Sequence, residues 1–151
     1  MNIPEFQTQH IFVADDDEDD RKLFEEVVKD LPYLVHLTMA RDGDETIKVL
    51  LQLSHLPDVL FLDLNMPIKN GLDCLNEIKK NSKIKSIPVI IFSTSSYPSA
   101  INQVYDAGAH LYIRKPNDFL NFKRSIQYVL SIRWKGNISQ PPKDEFVLNL
   151  S

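Results

Sequence analysis

Four short apolar runs each end in a polar residue that a phosphoryl-transfer site could use. Ile11-Phe12-Val13-Ala14 leads into Asp15-Asp16, and Val59-Leu60-Phe61-Leu62 into Asp63. Val89-Ile90-Ile91-Phe92 leads into Ser93-Thr94, and Leu111-Tyr112-Ile113-Arg114 into Lys115-Pro116. If the runs are neighbouring parallel strands, their carboxyl ends lie side by side. Three carboxylates, a hydroxyl and an ammonium then meet in one crevice. Carboxylates held together resist joint ionisation, and a hard divalent cation relieves this. Magnesium prefers oxygen ligands and is commonly held by one or two carboxylates plus a phosphate. With Lys115 included, the set keeps an excess negative charge that one divalent cation balances.

An acidic run more often marks a solvated helix start than a site. That bland interpretation is taken for Asp17, Glu18, Asp19 and Asp20, which follow Asp15-Asp16 directly. Asp15 and Asp16 differ because they abut a buried run. Asp63 stands between Leu62 and Leu64 with no acidic neighbour, and a lone charge in apolar surroundings needs a partner or a role.

Positioning these groups requires buried strands and covering helices. The runs at 11–14, 59–62 and 89–92 lack polar alternation, as expected of strands covered on both faces. His36 to Ala40 reads as a weaker strand near an edge, and Leu111-Tyr112-Ile113 as the last strand. Between them, helical spacing links Leu23, Phe24, Val27, Val28 and Leu31, then Ile47, Leu50 and Leu51, then Leu72, Leu75 and Ile78 after Gly71. A short fourth helix carries Ile101, Val104 and Tyr105, entered at Pro98 and left at Gly108. Phe119, Phe122, Ile126, Val129 and Leu130 mark the fifth. Strand–helix alternation repeated in this way predicts an α/β domain with right-handed crossovers and helices on both faces.

Composition bounds the function classes. The chain has 151 residues, 43% hydrophobic and 25% charged, which suits one globular domain. A net charge of -4 disfavours nucleic-acid binding. No apolar run approaches the ~20 residues needed to cross a bilayer, and Met1 to Gln9 lacks the pattern of a secretion signal. The single cysteine, Cys74, suits a reducing compartment, so a cytoplasmic location is expected. His10, His36, His55 and His110 lack metal-ligand spacing. After Arg133 the character changes. The domain is taken as residues 1–135, with 136–151 a tail containing Pro141-Pro142 and Phe146-Val147-Leu148 that packs back on the body or meets a partner.

The motifs Val13 to Asp17, Asp63 to Gly71, Ser93-Thr94, Ala107-Gly108-Ala109 and Lys115-Pro116, in this order and spacing, resemble a response-regulator receiver domain of the chemotaxis-regulator type. The resemblance spans about Gln9 to Arg133. It implies a flavodoxin-like, doubly wound, five-stranded parallel sheet of order 2-1-3-4-5, an order for which this family is a standard example. It implies that Asp63 accepts a phosphoryl group from a histidine kinase or histidine phosphotransfer protein. Asp15 and Asp16 would hold Mg2+ together with Asp63 and the backbone carbonyl of Asn65. Lys115 would bind the phosphoryl oxygens and Ser93 would hydrogen-bond them. Lys115-Pro116 is expected to be cis.

The resemblance also makes Ser93 and Tyr112 a coupled switch: the hydroxyl moves toward the phosphate and the ring turns inward. The face of the fourth helix, fifth strand and fifth helix would then be the output surface, presenting Tyr97, Tyr105, Arg114 and the start of the last helix. It would signal by protein contact, and a homodimer through this face is one arrangement the resemblance leaves open. Nothing after Arg133 is long enough for an output domain, which favours a stand-alone regulator. Two other readings compete: a phosphorylation-independent binding or adaptor module, and a magnesium-dependent phosphatase with an aspartyl nucleophile. The phosphatase needs a general acid two residues after the nucleophile, where this chain has Asn65. The protein is therefore expected to be a switch that loses its phosphate slowly, not a turnover enzyme.

Overall fold

The structure is a computed structural model that describes residues 9–132, 134 and 139–148. Strands and helices alternate as β1 (Gln9–Ala14), α1 (Glu18–Lys29), β2 (Val35–Ala40), α2 (Gly43–Gln52), β3 (Val59–Leu62), α3 (Gly71–Lys80), β4 (Val89–Ser93), α4 (Pro98–Asp106), β5 (Leu111–Arg114) and α5 (Phe119–Ser131). The strands pair in parallel in the order β2-β1-β3-β4-β5. This is the expected flavodoxin-like order, with the reversal between β1 and β3.

Successive strand residues point to opposite faces, and both faces are covered. Ile11, Val13, Phe61 and Phe92 pack with Phe24 and Val27 of α1 and Phe122, Ile126 and Val129 of α5. Phe12, Ala14, Leu60, Leu62 and Ile91 pack with Leu50 of α2, Leu75 and Ile78 of α3, and Val104 of α4. This explains the unbroken apolar runs: neither face of β1 from Ile11 onward, of β3 or of β4 meets water. β2 is half-buried at one edge, as its weaker pattern predicts. There His10 stacks on His36 with ring centroids 4.5 Å apart.

Side chains just outside the helices satisfy their first amides. Asp17, Asp42, Asn70 and Asp118 cap α1, α2, α3 and α5. At the other end of α4, Gly108 takes φ 100, a left-handed conformation open to glycine at little cost. Leu51, placed among the core positions of α2 by its spacing, is instead 36% exposed, while Thr46 of the same helix is buried. The Thr46 hydroxyl donates to the Asp42 carbonyl at 2.7 Å, so its polar group costs nothing inside.

The α1–α5 layer centres on Phe24. Its ring meets Phe61, Phe92 and Phe122 edge-on at centroid distances of 5.1, 5.5 and 5.3 Å. Phe24→Ala is expected to lower unfolding free energy by about 3–5 kcal/mol in a urea titration, through lost burial and the cavity left among three rings.

Candidate functional site

Strand register builds the site. Ala14 pairs with Leu62, so Asp15 and Asp63 leave adjacent strand ends together. The Asp63 amide donates to the Ala14 carbonyl at 2.9 Å, and the Lys115 amide to the Ser93 carbonyl at 2.9 Å. These backbone bonds bring the β1, β3, β4 and β5 termini to one rim. An open crevice there is lined by Asp16, Asp17, Asp20, Asp63, Asn65, Thr94, Lys115, Pro116 and Asn117.

The ammonium of Lys115 is the hub. Its Nζ donates to Asp20 Oδ2 at 2.8 Å and Asp15 Oδ2 at 3.0 Å, and lies 3.4 Å from Asp63 Oδ2. It also lies 5.5 Å from the centre of the Phe92 ring. Asp15 Oδ1 accepts from the Asp17 amide at 2.9 Å, and Asp63 Oδ1 from the Asn65 amide at 3.3 Å. Asp15 and Asp63 are 1% and 4% exposed, yet Asp63 still lines the crevice and can be reached from it. Asp16 is exposed.

One carboxylate oxygen from each of Asp15, Asp16 and Asp63 lies within 4.8 Å of the other two. An all-oxygen donor set at this spacing fits a hard divalent cation. Burial pushes the Asp15 carboxyl from its ordinary 3.8 up to about 7, against the pull of the Asp17 amide and Lys115, and the Asp63 charge adds to the rise. Burial raises Asp63 as well, opposed by Lys115 and assisted by Asp16. Burial alone would lower Lys115, but Asp20, Asp63 and Asp15 outweigh it and raise its pKa. The site is thus short of positive charge.

The structure revises several expectations. Asp20 is not a solvated helix residue: it makes the shortest contact to Lys115, across 95 residues of sequence. Its place in the first turn of α1 directs it over the site. Asp17 spends its side chain on the α1 cap. Ser93 is fully buried below the crevice, its Oγ accepting from the Ser95 amide at 3.1 Å, whereas Thr94 stands in the wall. Lys115-Pro116 is trans, since the described residues contain no cis bond. Trans is the form an X–Pro bond favours by about 0.5–1 kcal/mol. Gly71, expected mainly to start α3, has a second role. A Cβ there would overlap the Asp63 carbonyl and crowd Leu64, so only glycine lets α3 start this close to the acceptor strand.

Tyr112 faces inward, fully buried, and its hydroxyl donates to the Ser95 carbonyl at 2.7 Å. The expected output surface is only partly open. Tyr97 is 74% exposed, while Tyr105 packs edge-on against Phe146 of the C-terminal segment at 5.0 Å.

Residues 11–127 match the model of the response regulator receiver domain. The chain belongs to this family. It is 29% identical over 136 residues to response regulator Rcp1 of Synechocystis sp., covering 87% of this chain and 92% of that protein. It is 30% identical over 120 residues to two-component response regulator ORR13 of Oryza sativa subsp. japonica, covering 80% and 97%. Among solved structures, the phosphorylated cyanobacterial phytochrome response regulator RcpA superposes with a TM-score of 0.79 at 28% identity, covering 85% of this chain and 95% of RcpA. The Mn2+-bound form of Rcp1 does so with 0.76 at 29%, covering 89% and 99%. Among the described residues no helix is long and apolar enough to cross a membrane.

The raised carboxyls predict a pH dependence in metal-free protein. Folding raises the Asp15 pKa, so the folded state holds a proton that the unfolded state releases. The Asp15 contribution to metal-free stability should therefore be fully present below about pH 4 and be lost as pH rises through about 7. Asp15→Asn should flatten that fall and be more stable than the parent at pH 7, as read by denaturant titration across the range.

Proposed function

We propose that this receiver domain accepts a phosphoryl group on Asp63 from a phosphohistidine of a histidine kinase or histidine phosphotransfer protein. The observation that carries the proposal is the Asp63 carboxylate at the crevice floor, flanked by the Asp15–Asp16 pair and the Lys115 ammonium. An Asp63 oxygen attacks phosphorus, the N–P bond of the donor breaks, and its electron pair returns to the imidazole nitrogen. The product is an acyl phosphate. A carboxylate is a weak nucleophile, so positioning and charge stabilisation carry the reaction. Asp15, Asp16, Asp63 and the Asn65 carbonyl would hold Mg2+, which when bound neutralises charge on the transferring oxygens. Lys115 turns toward those oxygens, and the Ser93 hydroxyl rotates up to them from below. Release from Asp20 accompanies the Lys115 movement.

The family's interaction with histidine kinases or phosphotransfer partners supports this donor class. So do the phosphorylated RcpA and Mn2+-bound Rcp1 structures that the chain resembles. Asn65 offers no general acid beside Asp63, so the acyl phosphate should hydrolyse slowly and the protein should act as a switch, not a turnover enzyme. The lone, buried Cys74 and the kinase partner class favour the cytoplasm. A phosphorylation-independent adaptor would have no need to keep the three acids and Lys115 in this arrangement.

With Mg2+ and a small phosphodonor, mass spectrometry should show a gain of about 80 Da on Asp63. A gain of the same size in Asp63→Asn would defeat the proposal.

Asp20 should tune the same site. In Asp20→Asn one negative charge leaves the crevice and Lys115 is freed toward Asp15 and Asp63. Both changes weaken cation binding. Calorimetric titration should show severalfold weaker Mg2+ binding for Asp20→Asn and little change for Asp19→Asn, whose side chain is exposed.

A further inference from the structure

β5 is an edge strand, and an unpaired edge offers a row of amides and carbonyls to any extended chain. Here the chain's own C-terminal segment takes it. The Tyr112 amide donates to the Phe146 carbonyl at 3.0 Å, and the Leu148 amide donates to the Tyr112 carbonyl at 2.8 Å. Together they form a parallel bridge between Tyr112 and Val147. Phe146 is fully buried, between Tyr105 at 5.0 Å and Tyr112 at 6.2 Å.

The rest of the segment is fastened to α4. Gln140 Nε2 donates to the Tyr105 carbonyl in the last turn of that helix and to the Ala109 carbonyl just beyond it, at 2.6 and 2.7 Å. The Tyr105 hydroxyl donates to the Pro141 carbonyl at 2.7 Å, and the Lys143 ammonium lies 6.0 Å from the Tyr105 ring centre. Helix end, ring face and strand edge are thus engaged at once, a pattern of docking and not of a loose terminus.

The segment meets the chain at a residue tied to the acceptor site. Tyr112 reaches the Ser95 carbonyl with its hydroxyl, and the Ser95 amide holds Ser93 Oγ at 3.1 Å. Ser93 Oγ can keep accepting from the Ser95 amide while its hydroxyl donates to a group on Asp63, so drawing Ser93 toward the site draws the loop with it. Rearrangement of the loop after β4 therefore acts on Tyr112, and Tyr112 is held on its far side by Phe146.

We propose that residues 139–148 form an intramolecular strap that occupies the α4–β5 face and holds Tyr112 inward, so that strap docking and occupancy of Asp63 reinforce each other. The inference rests on the acceptor role of Asp63. It makes the strap the resident occupant of this face, which a protein partner binding there must displace or build upon. Because coupling free energy is reciprocal, whatever tightens the strap tightens phosphoryl binding, and the reverse.

The test is amide hydrogen exchange by NMR on the full chain, with Mg2+ and with or without beryllium fluoride as an acyl-phosphate mimic. Binding is verified by a bound 19F signal that Asp63→Asn abolishes. With the mimic bound, the Tyr112 and Leu148 amides should exchange about tenfold more slowly, at a rate independent of protein concentration. Tyr105→Phe, which removes only the Pro141 bond, should speed Leu148 exchange and raise the mimic concentration needed for half-saturation. Phe146→Ala should do both more strongly, and Tyr105→Phe carries the test if that variant folds poorly. A bound 19F signal with unchanged or faster exchange overturns the strap. Concentration-dependent protection also overturns it, because the segment would then belong to a second copy. Absence of any bound signal overturns the acceptor role and the coupling with it.

Discussion

A single ammonium set among carboxylates governs this molecule. Lys115 reaches Asp15, Asp20 and Asp63 at once, and its side chain is only 12% exposed. Burial favours neutral carboxyls, and one lysine offsets only part of the charge. The arrangement stays electrostatically unsatisfied, and its three clustered carboxylates fit a hard divalent cation that would balance the excess negative charge. The rest of the fold exists to hold the tension in place: parallel register aligns the strand ends, and Gly71 lets α3 begin hard against the Asp63 backbone.

The same sheet connects the site to a second surface. The loop after β4 is tied to Tyr112 by one hydrogen bond, and Tyr112 sits under the C-terminal segment. An edge strand, an inward aromatic and a helix end are all closed by the same residues, 139–148. The α4–β5 part of the face expected to be open for partners therefore has an occupant, while Tyr97 before α4, Arg114 and the Phe119–Leu120 start of α5 stay exposed.

Much of this was legible in the chain. Unbroken apolar runs announce strands covered on both sides, and β1, β3 and β4 are fully buried from Ile11, Val59 and Val89 onward. Asp15, Asp16, Asp63 and Lys115 declared themselves by ending such runs. Asp20 did not, because nothing local separates it from Asp19: both are acids in the first turn of α1. About 100° of helical rotation per residue turns one toward Lys115 and leaves the other in water. Ser93 and Thr94 divide likewise: Ser93 is the last residue of β4 and stays buried, while Thr94 begins the loop that walls the crevice.

Local pattern decided the element types, their order and the identity of the chemical groups, because periodicity and capping act over a few residues. Tertiary structure decided which of several equivalent side chains meet, and that Phe146 closes over Tyr112. Those outcomes depend on strand register and helix rotation summed over long separations. The Lys115–Asp20 contact joins residues 95 positions apart, and no short window of sequence contains the geometry that brings them together.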